Sequence, residues 1–337
     1  YMKISTREAI NGRNHPRYEA LPMDTSPGWP WVLTRGRGEG GKAYLFTGSA
    51  LEHNWDVGFD LEEAIVRKIR VVLDKTPYYM SVFTHQLKDE RRPLEKIKTC
   101  KTRLFTMSPV EFTILMRMFY GDYVAAYMNA HGKIHSQIGI DVEGPDWTEL
   151  YNFMSEVSPF GFDGDHSECD GNRDAELIYE VFKTADLWYQ RHLGMRRDGV
   201  QIWLDLNHPY DQSLKYGSLP LSNEQCSLIR EWIAYEVVHT YQIAYDCIHQ
   251  KNHGNPSGNI FTTIINSDTN DLELGMSMMA RTRELVPTVS SVTGVPRSQK
   301  QSDLIDSLVR ASAYDRFVYA AVFGDDVMCA VDPSVAH

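Results

Sequence analysis

Three acids carry the strongest hint of chemistry in this chain. Gly324-Asp325-Asp326 interrupts an apolar stretch running from Val318 to Val331. Apolar runs flanking a Gly-Asp pair read as a β-hairpin. Two adjacent carboxylates at its tip, held between buried strands, are costly unless something neutralises them, and a divalent cation would do so. Gly and Asp are also ordinary turn residues, so the tripeptide alone leaves both readings open. Asp165 closes a short strand, Gly161-Phe-Asp-Gly-Asp165, and Asp170 follows where a helix to about His192 begins. A strand-end acid suits a metal ligand, while an Asp at a helix start is equally an N-cap.

Charge neutralisation has a second candidate. Between Lys88 and Arg103, seven basic residues (Lys88, Arg91, Arg92, Lys96, Lys98, Lys101, Arg103) stand against Asp89, Glu90 and Glu95, a local net charge of +4 in a chain of net −11. Alternation across Lys96-Ile-Lys98 and Lys101-Thr-Arg103 predicts an extended ribbon with its charges on one face. Such a ribbon could grip a triphosphate or a nucleic-acid backbone, Arg contributing bidentate contacts, or could be a Lys-protected edge strand. Ser257 and Gly258 lie at a loop-to-helix junction. Thr262 and Asn266, four residues apart, share a helix face and could meet a ligand's hydroxyls. Thr25, Ser26, Pro27 and Gly28 open a rigid turn cluster, Thr25-Ser-Pro-Gly-Trp-Pro30, which could wall a nucleic-acid path or be a plain loop.

These residues need a scaffold. The 337 residues are 42% hydrophobic and 23% charged, which is globular and large enough for two or three subdomains. The acidic balance excludes a uniformly basic nucleic-acid coat but not a local basic channel. No apolar run is long enough to span a bilayer, and five cysteines without a CxxC pair point to a reducing compartment. Helical spacing covers 60–74, with Asp60 as N-cap, and capping boxes at Ser108–Glu111 and Asp146–Glu149 open two more helices. Residues 78–85 read as strand, 224–249 as helix then strand, and 303–312 as a helix leading to the hairpin.

In their order along the chain, Thr25-Ser-Pro-Gly-Trp-Pro30, Lys88-Asp-Glu-Arg-Arg…Lys101-Thr-Arg103, Asp165-x4-Asp170, Ser257-Gly-x3-Thr262-x3-Asn266-Ser and Phe323-Gly-Asp-Asp326 resemble five motifs of the viral RNA-dependent RNA polymerases of the picorna-like superfamily, of dicistrovirus or marine picorna-like type. Phe323 stands where many members have Tyr, and Cys100 where Gly is common. Asp163 adds an acid near the first palm motif. The resemblance implies an α+β right-hand fold: fingers over 1–150, palm over 151–190, a fingers/palm insertion over 191–250, and palm again over 251–337. It further implies truncation after the Gly-Asp-Asp motif, with the thumb missing.

The implied activity is RNA-templated RNA synthesis from nucleoside triphosphates in viral genome replication. Asp165, Asp325 and Asp326 would be the catalytic, metal-holding acids for two Mg2+ ions about 3.5–4 Å apart, with Mn2+ as an alternative. Lys88, Arg92, Lys96, Lys101 and Arg103 would bind the triphosphate. Asp170, Thr262 and Asn266 would sense the ribose, Ser257 and Gly258 the nascent pair, and Thr25, Ser26, Pro27 and Gly28 the template. Implied partners are RNA template and primer (protein-primed in this family) and other viral replication proteins, at membrane-associated replication complexes in the host cytoplasm. Two rivals remain: a reverse transcriptase, against which Asp170 and Asn266 speak, and a non-catalytic RNA-binding fragment of the polymerase.

Overall fold

A computed structural model describes residues 3–13, 15–49, 54–76, 80–166, 169–192, 221–285 and 318–332. In chain order its elements are α1 (Thr6–Asn11), β1 (Phe46–Ser49), β2 (Asn54–Val57), α2 (Phe59–Leu73), β3 (Val82–Leu87), α3 (Leu94–Lys98), β4 (Leu104–Met107), α4 (Val110–Met128), α5 (Pro145–Val157), β5 (Gly161–Asp165), α6 (Cys169–Asn172), α7 (Ala175–Arg191), α8 (Asn223–Val238), β6 (Tyr241–Ala244), β7 (Cys247–Gln250), α9 (Thr262–Leu285), β8 (Val318–Phe323) and β9 (Asp326–Val331). Two compact units result. One comprises 1–126 with 170–262, the other 127–169 with 263–337. They cut across the sequence boundaries at 150, 190 and 250, because the chain changes unit near the end of α4, at the start of α6 and at the start of α9. The helix expected over 303–312 lies outside the described residues. No helix among the described residues is long and apolar enough to cross a membrane.

The first unit holds a four-stranded sheet ordered β4-β3-β6-β7, antiparallel except between β3 and β6. Its core includes stacked Phe182 and Phe261, and Tyr120, whose hydroxyl donates to the Arg230 carbonyl at 2.9 Å. Arg230 is fully buried, yet its charge is met by Asp186 at 2.6 Å and by the face of Tyr189. Helix α2 is capped two residues earlier than its pattern suggested. Gly58 is the N-cap, and Asp60 sits in the first turn, where an acid complements the helix dipole. Likewise α5 begins at Pro145 after Gly144, and Asp146 turns away from capping to accept from His131 Nε2 at 3.1 Å.

The second unit is built on an antiparallel sheet ordered β5-β9-β8. One face carries Val318, Ala320, Val322, Cys329 and Val331 against Leu274 and Met278 of α9. The other carries Ala321 and Ala330 against Leu150 and Met154 of α5. Each fully buried valine is worth about 1.5–3 kcal/mol. A one-residue slip would turn these side chains off α9 and drive acids onto it, so this alternation fixes the register.

Candidate active site

That register brings the three acids together. Asp165 of β5 lies directly across from Asp326 of β9, which in turn faces Phe323 of β8. Directly opposed residues project to one face with Cβ atoms about 4.5–5.5 Å apart. Asp325 occupies the two-residue turn between the strands, and the ladder continues past Asp165 as the His166 amide donates to the Asp325 carbonyl at 3.1 Å. Gly324 has φ +66 while Asp325 is not left-handed, the pattern of a type II′ turn with glycine first. All three carboxylates are solvent-exposed. Partial desolvation, then the charges of Asp325 and Asp165, raise the Asp326 carboxyl above its ordinary range. Asp163 shares the face of Asp165, opposite Met328.

Helix α9 holds this tip from behind. The Gly324 amide donates to Ser267 Oγ at 2.7 Å. Asn270 Nδ2 donates to the carbonyls of Gly324 at 3.4 Å and Asp325 at 3.2 Å. Glu273 reaches His166 Nε2 at 2.8 Å. Sequence reasoning singled out none of Asn270, Glu273 and His166; their helical spacing from Asn266 (Asn270 at i+4, Glu273 at i+7) was the available signal.

The residues assigned to the nucleotide separate between the units. Asn266, on α9, is buried in the second. Asp170, Ser257, Gly258 and Thr262 belong to the first, where Asn255 links Asp170 to Thr262. Its amide donates to the Asp170 carbonyl at 2.7 Å and its side-chain Nδ2 to the Thr262 carbonyl at 2.9 Å. Lys251 faces Asp170; burial lowers its pKa while that carboxylate opposes the shift. The Thr106 amide, at the end of the basic stretch, donates to the Ser257 carbonyl at 3.2 Å. Gly258 sits at φ +103, and a Cβ there would lie 2.5 Å from the Thr106 carbonyl oxygen, so only glycine fits.

The basic stretch is not the extended ribbon its alternation predicts. Leu94–Lys98 form the short helix α3, because Pro93 starts a helical turn and the stretch lacks a strand partner until Leu104. Cys100 lies in the left-handed region at φ +53, a conformation that favours glycine. Charges here are partly paired within the stretch. Arg103 grips Glu90 with two nitrogens, Nε at 2.8 Å and Nη2 closer, while Arg92 and Lys88 approach the same carboxylate at 3.4 and 3.7 Å. The Arg103 bond, reinforced by the three cationic charges, holds Glu90 down to about 2. Lys96 and Lys101 are exposed and meet no carboxylate at ion-pair distance among the described residues. In the same unit, the Val110 amide donates to the Pro27 carbonyl at 2.9 Å, and Gly28, at φ +76, leaves no room for a Cβ beside Ser108. Ser26 Oγ accepts from the Gly28 amide at 3.3 Å and Thr25 Oγ1 donates to the Pro22 carbonyl at 3.2 Å.

Among the described residues, no three His, Cys, Asp or Glu side chains are arranged to hold a metal ion alone. The exposed acid cluster still fits Mg2+, which binds through one or two carboxylates and completes its octahedron with water and substrate phosphates rather than a protein cage.

A family model described as viral RNA-dependent RNA polymerase matches residues 6–337. The chain is 29% identical over 276 residues to the replicase polyprotein of Acute bee paralysis virus, covering 81% of the chain and 12% of that polyprotein. Against the RNA1 polyprotein of Grapevine fanleaf virus it is 32% identical over 195 residues, 58% of the chain and 8% of the polyprotein. It thus spans a small part of the curated relatives it matches. In structure it superposes on the Sicinivirus 3Dpol RNA-dependent RNA polymerase with a TM-score of 0.64 at 21% identity, over 99% of this chain and 55% of that one. That likeness shows the fold, an α+β right-hand polymerase arrangement. By sequence family and by fold, the chain belongs to the viral RNA-dependent RNA polymerases.

Proposed function

We propose that the protein carrying this chain joins nucleoside triphosphates to an RNA 3′ end on an RNA template, as a viral replicase. The observation that carries the reading is the pairing of Asp165 with Asp326 across β5 and β9, with Asp325 in the adjoining turn. Three carboxylates at one exposed sheet end repel one another, and divalent cations relieve that repulsion. The family generally uses divalent metal ions. Asp165 and Asp325 are the residues we assign to hold two Mg2+ ions, with Asp326 beside them. When bound, such ions make the attacking hydroxyl easier to deprotonate and offset charge on the triphosphate.

The remaining roles fall to the chain itself. Lys96 and Lys101, exposed and without a carboxylate at ion-pair distance among the described residues, are the side chains we assign to triphosphate oxygens, with Arg103, Arg92 and Lys88 joining them on release from Glu90. Asp170, Thr262 and Asn266 are the residues we assign to the ribose: a site built to hydrogen-bond the 2′-hydroxyl disfavours deoxyribonucleotides, which lack it. Ser257 and Gly258 line the nascent pair, and Thr25 to Gly28 guide the template. The hairpin, β5 and α9 constitute the palm, and the sheet β4-β3-β6-β7 with its basic stretch belongs to the fingers. RNA, nucleoside triphosphates and further replication proteins are the partners, at membrane-associated complexes in the host cytoplasm.

Primer extension by the full-length protein tests this reading. Asp165→Asn and Asp325→Asn should each lower extension by at least about 100-fold; near-parent extension by either sinks the assignment. Asn266→Ala should reduce the preference for ribonucleotides over deoxyribonucleotides by about 100-fold or more while leaving RNA binding intact. Undiminished preference would remove Asn266 from the sugar site.

A further inference from the structure

Nothing in the acid cluster itself fixes where Asp325 points. Its turn is two residues long, its side chain is exposed, and glycine precedes it. The turn's backbone, however, is tied to one helix, directly by two buried side chains and indirectly by a third, half-buried one. Ser267 is fully buried and accepts the Gly324 amide; Asn270 is 5% exposed and spans the Gly324 and Asp325 carbonyls with one amide nitrogen. The third tie is indirect: His166, whose amide meets the Asp325 carbonyl, is held by Glu273 three residues further along α9. A β-turn exposed to solvent does not require such anchoring for its own stability, since water satisfies its polar groups. A turn that must hold one carboxylate at a fixed separation from another does.

We propose that Ser267 and Asn270 are positioning residues that clip the Gly324-Asp325 turn to α9 and so set Asp325 against Asp165 for divalent-cation binding. The inference rests on the metal reading above and deepens it. It also places the clip on the same turn of helix as Asn266, which precedes Ser267 and lies four residues before Asn270. A shift of this turn would therefore move the ribose-reading side chain and the metal-holding turn together.

Metal binding without turnover tests it. Mn2+ is titrated by electron paramagnetic resonance into full-length protein free of RNA and nucleotide, well below each variant's melting temperature. Ser267→Ala and Asn270→Leu should weaken Mn2+ binding about tenfold, the scale of losing a group that orients a ligand. Ser267→Thr, which keeps the hydroxyl, should stay within about twofold of the parent on the same scale. In the metal-free protein, amide exchange at Gly324 should accelerate in Ser267→Ala. Parent-like Mn2+ affinity in either folded variant overturns the clip, and if one variant does not fold the other decides. Asp325→Asn separates the two levels. If it loses Mn2+ while Ser267→Ala and Asn270→Leu do not, the clip alone is wrong. If it too binds like the parent, the metal reading falls and the clip with it.

Discussion

Asp268 follows Ser267 on α9 and offers a stability test that needs neither metal nor substrate. Its carboxylate accepts a hydrogen bond from the Tyr127 hydroxyl. Burial drives its pKa from 3.8 up to about 7; the Tyr127 bond opposes the shift and the charge of Asp271, paired with His135 at 2.8 Å, adds to it. The sign follows from proton counting. Between about pH 4 and 7 the folded protein holds a proton that the unfolded chain has released, so stability falls as pH rises through that window and is level above it. Three pH units at about 1.4 kcal/mol each set a ceiling of about 4 kcal/mol. Asp268→Asn keeps an oxygen for Tyr127 and removes the charge. Its melting temperature should match the parent near pH 4 and exceed it by several degrees at pH 8, on a scale of about 2–4 °C per kcal/mol. Circular dichroism melts of both proteins from pH 4 to 8 in metal-free buffer provide the assay, and the difference between the curves cancels groups common to both. Curves that stay parallel across the range would refute the buried-carboxylate reasoning.

Two further outcomes follow from named contacts. Glu90→Gln should free Arg103, Arg92 and Lys88 for phosphate. RNA binding should tighten and its dependence on log salt steepen by about 0.7 for each phosphate newly engaged, whereas an unchanged slope would mean that Glu90 does not restrain them. Gly324→Ala should destabilise the protein by about 1–2 kcal/mol in denaturant titrations, because φ +66 is unfavourable for an L-residue. A Cβ there meets nothing nearer than Thr263 Cγ2 at 3.9 Å, so the cost is conformational rather than steric, and a loss well under that range would show that the turn relaxes.

What the sequence determined alone was mostly local. Alternating apolar residues around Gly324-Asp325-Asp326 specify a hairpin, and its valines sit where their spacing put them. Helical periodicity placed α2, a capping box opened α4, and the five motifs in order identified the family because each residue type answers a local chemical demand. Local signals misled where a tertiary partner was absent or unforeseen. Polar-apolar alternation across Lys96-Ile-Lys98 suggested a strand, but a strand needs a neighbour, and α3 formed without one. Asp146 had the spacing of a capping box, yet His131 claimed its carboxylate.

Tertiary structure alone decided the relations between distant segments. Asp165 and Asp326 are 161 residues apart in the chain, and only the β5-β9 register sets them face to face. The seven basic residues between Lys88 and Arg103 count as a net charge in sequence, but three of them share Glu90 once folded, because charge in space depends on which side chains meet. Asn270 and Glu273 read as ordinary helix polar residues until α9 is laid against the hairpin; then one holds the turn and the other holds the residue after Asp165. Periodicity and turn chemistry are encoded over a few residues and can be read from them. The separation of two carboxylates is set by strand pairing and helix packing, which depend on the whole fold.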